Sequence, residues 1–77
     1  MAKYDSLARH LRASVGTVRM TFSEVEALSG PLPRSAKTYR AWWANDHTHV
    51  QASAWRSAGL NVESVDLIRE TVVFRTG

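Results

Sequence analysis

The segment TYRAWWANDHTHVQASAW, from Thr38 to Trp55, contains all three tryptophans of the chain and two of its three histidines. The chain has 77 residues, and a domain of this size buries only about 60% of the surface that its unfolded chain exposes. Three tryptophans are therefore a large share of any possible core. We expect at least two of them to be buried, which leaves the polar residues of the segment as candidates for a functional surface.

The residues before this segment predict a helix followed by a short strand. Near the N-terminus, one apolar stripe has the i, i+3, i+4, i+7 spacing of a helix that ends before Gly16: Tyr4, Leu7, Ala8 and Leu11. In the following TVRMTF, Val18, Met20 and Phe22 alternate with polar residues, as they do in a half-buried strand.

A second helix is well delimited by its flanking residues. Thr21 and Glu24 have the spacing of a capping box, and Met20 with Val25 has that of the accompanying hydrophobic staple. The Gly-Pro pair at 30–31 is typical of a helix end. The sequence therefore predicts a short helix between Thr21 and residue 30.

Two further helices are expected in the tryptophan-rich part of the chain. From Ser35 onward, Tyr39, Trp42 and Trp43 have helical spacing. Asn and Asp at 45–46 predict a break, since their side chains bond local backbone in preference to a helix interior. A last helix over 48–58 then closes at Gly59.

The C-terminal NVESVDLIRETVVFR alternates as a β-hairpin does, with its turn around IRET. The predicted order is helix, strand, helix, a helix that the break can divide in two, strand, strand. This is the order of a winged helix-turn-helix domain, an α+β fold in which the first strand joins the hairpin in a small antiparallel sheet. One departure is that Thr48 follows Gly30 by 18 positions, where a helix-turn-helix uses a short turn. The recognition helix can therefore start near Ser35 or near Thr48. We treat residues 1–77 as one domain.

Positive charge is concentrated in two blocks. The net charge is +3, and eight of the ten Lys and Arg residues lie in 1–20 and 31–59, each of which carries a net +3. Such a distribution favours a polyanionic partner such as nucleic acid.

The expected helix over 48–58 has a polar face. On a helical wheel Val50, Ala54 and Ala58 form the apolar side with Trp55 at its edge, and Gln51, inside that arc, is expected in a buried hydrogen-bond network. The opposite side is polar and positive, which suits a DNA groove, although an ordinary solvated face would have the same composition. Its residues are His49, Ser53 and Arg56.

Other classes of site are poorly supported. His47-Thr48-His49, with Asp46 adjacent and His10 distant, offers too few ligands for a zinc site. There is no cysteine, no nucleophile-elbow motif and no glycine-rich phosphate loop. We expect no cofactor, no metal and no enzymatic activity. No run approaches the ~20 apolar residues of a membrane span, and without a signal-peptide pattern the expected compartment is the cytoplasm.

From Tyr39 to Arg75 the chain resembles a family of small bacterial and phage-borne domains of unassigned function. The shared pattern is YRAWWxN, HxQA, W, G, VDL and a final Val-x-Phe-x-Arg, in which Val73 stands one residue from the expected position. It falls here on Tyr39, Arg40, Ala41, Trp42, Trp43, Asn45, His49, Gln51, Ala52, Trp55, Gly59, Val65, Asp66, Leu67, Val73 and Arg75. The N-terminal KYDSLARHL and MTFSEVEAL match as well. Members of this family occur alone or joined to nuclease-like partners, so the resemblance implies a nucleic-acid context and the importance of Asn45, His49 and Gln51.

The leading hypothesis is a non-enzymatic DNA-binding domain. Phosphate contacts are expected from Arg34, Lys37 and Arg40, which share i, i+3, i+6 spacing. Groove contacts are expected from Asn45, His49, Ser53 and Arg56, and a hairpin contact from Arg69. The alternative is a protein-interaction module that docks a partner through a tryptophan-rich surface. The oligomeric state stays open: winged-helix proteins often bind as dimers, yet no spare helix is evident.

Overall fold

A computed structural model describes residues 4–14, 16–46 and 48–76 of the chain. The helices and strands follow one another along the chain in the predicted order, and a 3₁₀ helix lies between the third and fourth α-helices. Their bounds are α1 Asp5–Arg12, β1 Thr17–Thr21, α2 Phe22–Ser29, α3 Arg34–Thr38, the 3₁₀ helix Arg40–Trp43, α4 Val50–Ser57, β2 Leu60–Asp66 and β3 Thr71–Thr76.

The strands form one three-stranded antiparallel sheet in the order β1-β3-β2. The first strand pairs with β3, so that Val18 lies opposite Phe74 and Met20 opposite Val72. β2 and β3 form the predicted hairpin, with a register shift between Val62 and Ser64. The α+β class and the small antiparallel sheet are therefore confirmed.

The predicted start and end of α2 are confirmed in detail. The Thr21 hydroxyl accepts from the Glu24 backbone N–H at 3.1 Å, and the Glu24 carboxylate accepts from the Thr21 backbone N–H at 2.9 Å. Gly30 closes the helix with φ of 86°, a left-handed value that favours glycine. The capping box thus fixes where β1 ends and α2 begins.

The prediction of a continuous helix from Ser35 through Trp43 is wrong. α3 ends at Thr38, and Tyr39 is extended at φ −123° and ψ 127° before the 3₁₀ helix begins. This bend lets the Trp43 indole N–H donate back to the Ala36 carbonyl at 2.8 Å, which satisfies the buried ring nitrogen. Tyr39 consequently leaves the expected apolar stripe and is 63% exposed.

The predicted apolar face of α4 is also partly wrong. Val50 is 66% exposed, whereas Ala52 is fully buried. Trp55 is fully buried, and Gln51 Nε2 donates to the Trp42 carbonyl at 3.0 Å in a partly buried setting, as expected for Gln51. Trp55 and Gln51 fix how the helix is rotated, because burying an indole stabilises the fold far more than burying Val50.

An aromatic column crosses the core between the helices and the sheet. Trp43 stacks on Phe22 with centroids 5.0 Å apart and on Trp55 at 6.0 Å, and Trp55 lies 5.6 Å from Phe74. Trp42 is half-buried and packs edge-on against Trp43 at 4.7 Å. Trp43 and Trp55 therefore belong to the core, and Trp42 packs against it while staying partly exposed.

None of the helices within the described ranges is long and apolar enough to cross a membrane.

Candidate functional site

A polar cleft lies between α1 and α4, two helices that pack against each other. Its volume is about 530 Å³. Arg9 and Arg12 line its α1 side, and His49, Ser53 and Ser57 line its α4 side. We call it the α1–α4 cleft. It brings two guanidinium groups, several hydroxyl groups and the Asp5 carboxylate to one concave surface, where the excess of positive charge suits an anion.

The α4 side of the cleft is ordered by a short turn before the helix. Asp46 Oδ1 accepts from the Thr48 backbone N–H at 2.9 Å and from its hydroxyl at 2.7 Å. The Asp46 carbonyl accepts from the His49 N–H at 2.9 Å. These bonds fix His49 at the N-cap position of α4, where the positive end of the helix dipole also lies.

The imidazole nitrogens of His49 have an unusual environment. Its Nδ1 is shielded from solvent and has no hydrogen-bond partner among the described residues. Its Nε2 lies 4.0 Å from the Asp46 carboxylate. A shielded nitrogen without a partner is rare in native proteins, because desolvation is normally offset by a hydrogen bond. The exposed part of the His49 side chain lies at the rim of the α1–α4 cleft, whereas Nδ1 is turned away from solvent.

Tyr4 lines the cleft at the start of α1 and is 8% exposed, and burial raises the pKa of its hydroxyl.

Most arginines form no ion pair with the residues that the structure describes. Within residues 4–14, 16–46 and 48–76, ion pairs of up to 4.0 Å involve only Arg69 and Arg75 among the arginines. The arginines outside these pairs are Arg9, Arg12, Arg19, Arg34, Arg40 and Arg56.

Arg9 and Arg12 were missed as site residues at the level of sequence. The available signal was their spacing: with Asp5 they occupy positions i, i+4 and i+7 beside the apolar stripe of α1. What the sequence did not reveal is that α4 packs along that side of α1 and completes a concave site.

Ser53 and Arg56 lie on the exposed side of α4, as the helical wheel predicted. Ser53 faces the α1–α4 cleft. Arg56 Nη1 donates to the Asn61 side chain at 3.2 Å and reaches the Asn45 carbonyl at 3.4 Å. Its guanidinium is thus oriented by neutral acceptors, and its charge stays uncompensated.

The side-chain amide of Asn45 is hydrogen-bonded within the protein and has a structural role. Its Oδ1 accepts from the Trp55 indole N–H at 2.9 Å and from the Val62 backbone N–H at 2.8 Å. Its Nδ2 donates to the Val62 carbonyl at 3.0 Å. This side chain ties the segment before α4 to β2 and to the aromatic column, so we leave it out of the candidate site.

The predicted row of Arg34, Lys37 and Arg40 does not share one helical edge. Arg34 and Lys37 are on α3, but Arg40 follows the extended Tyr39 and lies in the 3₁₀ helix. Lys37 Nζ pairs with Glu26 at 3.7 Å. Arg40 instead lines a depression over the sheet near the hairpin turn. Arg69 lies in that turn, between β2 and β3.

No group of three or more potential metal ligands occurs within the described part of the chain. His47, one half of the His-x-His motif considered above, lies outside the described residues, as does Lys3 of the first basic block.

Together these features define a small basic α+β domain with an open cleft between two helices. A family model covers residues 4–77 of the chain, and the family is described as a domain of unknown function, DUF7662. The chain belongs to this family. A search of curated proteins found no match, and a search of solved structures found none either.

Proposed function

We propose that the protein is a non-enzymatic domain that binds duplex DNA through the α1–α4 cleft and the exposed side of α4. The observation that carries the proposal is that Arg9 and Arg12, which have no ion-pair partner among the described residues, line the same cleft as His49 and Ser53. Guanidinium groups are the usual phosphate ligands in protein–DNA complexes, and short polar side chains position the backbone or contact base edges.

The order of elements supports a winged-helix assignment within this proposal. A helix immediately before a C-terminal hairpin, with a first strand pairing to its second arm, has the arrangement of winged helix-turn-helix domains. On this assignment α4 is the recognition helix and the β2–β3 hairpin is the wing. Val50, Ser53 and Arg56 would then face the groove: Arg56 suits guanine, and the exposed Val50 suits a thymine methyl group.

The protein-interaction alternative has less support. It needed exposed tryptophans, whereas Trp43 and Trp55 are buried and Trp42 is half-buried. Unpaired arginines without a clustered apolar surface favour a polyanion over a protein partner.

The test is a salt titration of binding to a random duplex, followed by fluorescence anisotropy. We expect log K to fall with log salt with a slope of about −3 to −4, because roughly four cations would contact phosphates. The double variant Arg9→Gln/Arg12→Gln should bind at least about tenfold more weakly, because two charge-assisted hydrogen bonds are lost. Its slope should be shallower by about 2.

A matched control removes two positive charges that already have acidic partners, Lys37→Gln/Arg75→Gln. It should retain most of the affinity and slope. The absence of binding near ~50 mM salt, a slope near zero, or an equal loss in this control would overturn the proposal.

A further inference from the structure

A second surface lies over the outer face of the sheet, around the hairpin turn. Arg19 on β1 and Arg40 in the 3₁₀ helix line a depression of about 490 Å³, and Ile68 in the turn lies beside it. Neither arginine makes an ion pair within 4.0 Å among the described residues, although Arg40 is near enough to Asp66 to interact with its charge. We call this surface the hairpin face.

The hairpin turn is held rigidly. Asp66 Oδ1 accepts from the backbone N–H groups of Ile68 and Arg69, both at 3.0 Å. The Glu70 carbonyl accepts from the Phe22 N–H at 2.8 Å, which ties the turn to the start of α2. Glu70 itself has φ of 55°, a left-handed conformation that is uncommon outside glycine. The turn therefore presents its outer side chains in one fixed arrangement.

Ile68 is the side chain that this arrangement presents. It is 95% exposed, the largest exposure among the large apolar residues that the structure describes. In the adjoining strands Val72 and Phe74 are fully buried, and Val65 and Val73, which line the depression, are half-buried. Ile68 lies on an ordered turn, and the guanidinium groups of Arg19 and Arg40 lie on the adjoining surface. This arrangement suits a partner in which phosphates lie on both sides of an apolar groove.

We propose that the hairpin tip enters the minor groove of duplex DNA and that Ile68 acts as a wedge which partly unstacks one base step. Arg19 and Arg40 contact the flanking phosphates, and Arg69 lies at the groove. Apolar wedges of this kind are inserted between base steps by proteins that bend DNA, and the Ile side chain is among those used. The positive charge beside Ile68 favours DNA over an apolar protein surface. This inference rests on the proposed function.

The test places 2-aminopurine at a flexible TA step, where unstacking costs least, and measures its fluorescence when a saturating amount of protein binds. The wild type should increase the fluorescence. Ile68→Ala should abolish most of the increase and weaken binding by roughly 3- to 30-fold, because the buried apolar contact is lost. Ile68→Leu should restore the signal.

The matched control is Tyr39→Ala, which removes another large exposed side chain outside both proposed surfaces. It should keep both the affinity and the fluorescence increase of the wild type. Arg19→Gln/Arg40→Gln should make the salt slope shallower by about 2.

The outcomes separate the two proposals. If the wild type binds duplex without a fluorescence change, or if Ile68→Ala gives the same change as the wild type, the wedge is overturned and DNA binding stands. If the wild type does not bind duplex at low salt, both are overturned. Nuclease-resistant capture of a protein that depends on Ile68, without any fluorescence change on DNA, would assign the tip to a protein partner.

Discussion

The junction around Asn45 and the α1–α4 cleft both involve α4, but they use their polar groups differently. At the junction the buried indole N–H groups of the aromatic column have hydrogen-bond acceptors: Trp43 donates to the Ala36 carbonyl, and Trp55 donates to Asn45 Oδ1. In the cleft Arg9 and Arg12 have no acidic partner among the described residues, and His49 keeps a shielded nitrogen without a hydrogen bond.

The difference separates residues that hold the fold from residues that are available to a ligand. Buried polar groups with complete hydrogen bonding specify a unique core. Positive charges without partners destabilise the isolated protein slightly and stabilise a complex with an anion. Substitutions at the junction should therefore change stability, whereas substitutions in the cleft should change binding.

The largest expected effect is at the centre of the aromatic column. Trp43→Ala should lower the free energy of unfolding by about 3–5 kcal/mol, because a large buried side chain is removed from between Phe22 and Trp55. Urea denaturation followed by far-UV circular dichroism measures this loss. Tyr39→Ala, an exposed aromatic of the same segment, should lose less than about 1 kcal/mol. Equal losses in the two variants would contradict the assignment of Trp43 to the core.

The next effect is at Asn45. Asn45→Ala should lower the free energy of unfolding by about 2–4 kcal/mol, because it leaves the Trp55 indole N–H and the Val62 backbone groups without their partner. Asn61→Ala is the matched control, since Asn61 accepts only one exposed bond from Arg56, and it should change stability by less than about 0.5 kcal/mol. A DNA-binding defect in Asn45→Ala with unchanged stability would show that its amide serves a ligand after all.

A much smaller effect on stability is expected in the cleft. Arg9→Gln/Arg12→Gln should change the free energy of unfolding by less than about 0.5 kcal/mol, because neither guanidinium has an acidic partner in the described structure. Thermal and urea unfolding of the variant measure it. A loss as large as that of Asn45→Ala would make the cleft part of the structural framework and remove its distinction from the junction.

The smallest expected effect on stability is at the hairpin turn. Its backbone is held by hydrogen bonds, as at the junction, and its side chains are exposed, as in the cleft. The Arg69 N–H bond lowers the pKa of Asp66, with help from the Ile68 N–H and from the charges of Arg69 and Arg40. A lowered folded-state pKa contributes stability above the unfolded-state value, and that contribution is lost as pH falls through the folded-state pKa.

Asp66→Asn should therefore weaken the pH dependence of stability below pH ~4, the ordinary range of this carboxyl group. Urea midpoints at neutral pH and at about pH 3, compared between wild type and variant, measure it. Identical pH dependence in the two proteins would mean that the turn does not rely on the carboxylate.

The parts of the fold that depend on local chemistry were predictable. The capping box of α2, the Gly30 terminus and the β2–β3 hairpin each follow from residues close together in sequence. The bend at Tyr39 was not predictable, because it depends on a bond between Trp43 and Ala36, seven residues apart, which forms only when the core does. The rotation of α4 was missed for the same reason: Trp55 overrides the local preference of Val50.

The candidate site was predictable only on one side. Ser53 and Arg56 on α4 could be placed on an exposed face from their spacing, but Arg9 and Arg12 join Ser53 in one cleft only through the packing of α1 against α4. The role of Asn45 could not be assigned from sequence, since an Asn amide can form hydrogen bonds with a DNA groove or with the protein backbone equally well. Its partner Val62 is seventeen residues away.

The bonds from Asn45 to Val62 also affect how copies of the protein meet. β2 lies at one border of the sheet, and such a border exposes unpaired backbone groups on which another chain can add a strand. Asn45 occupies both backbone groups of Val62, and the register shift that follows distorts the next position. The side chain thus imitates one residue of a neighbouring strand and withholds the Val62 backbone groups from pairing with another chain.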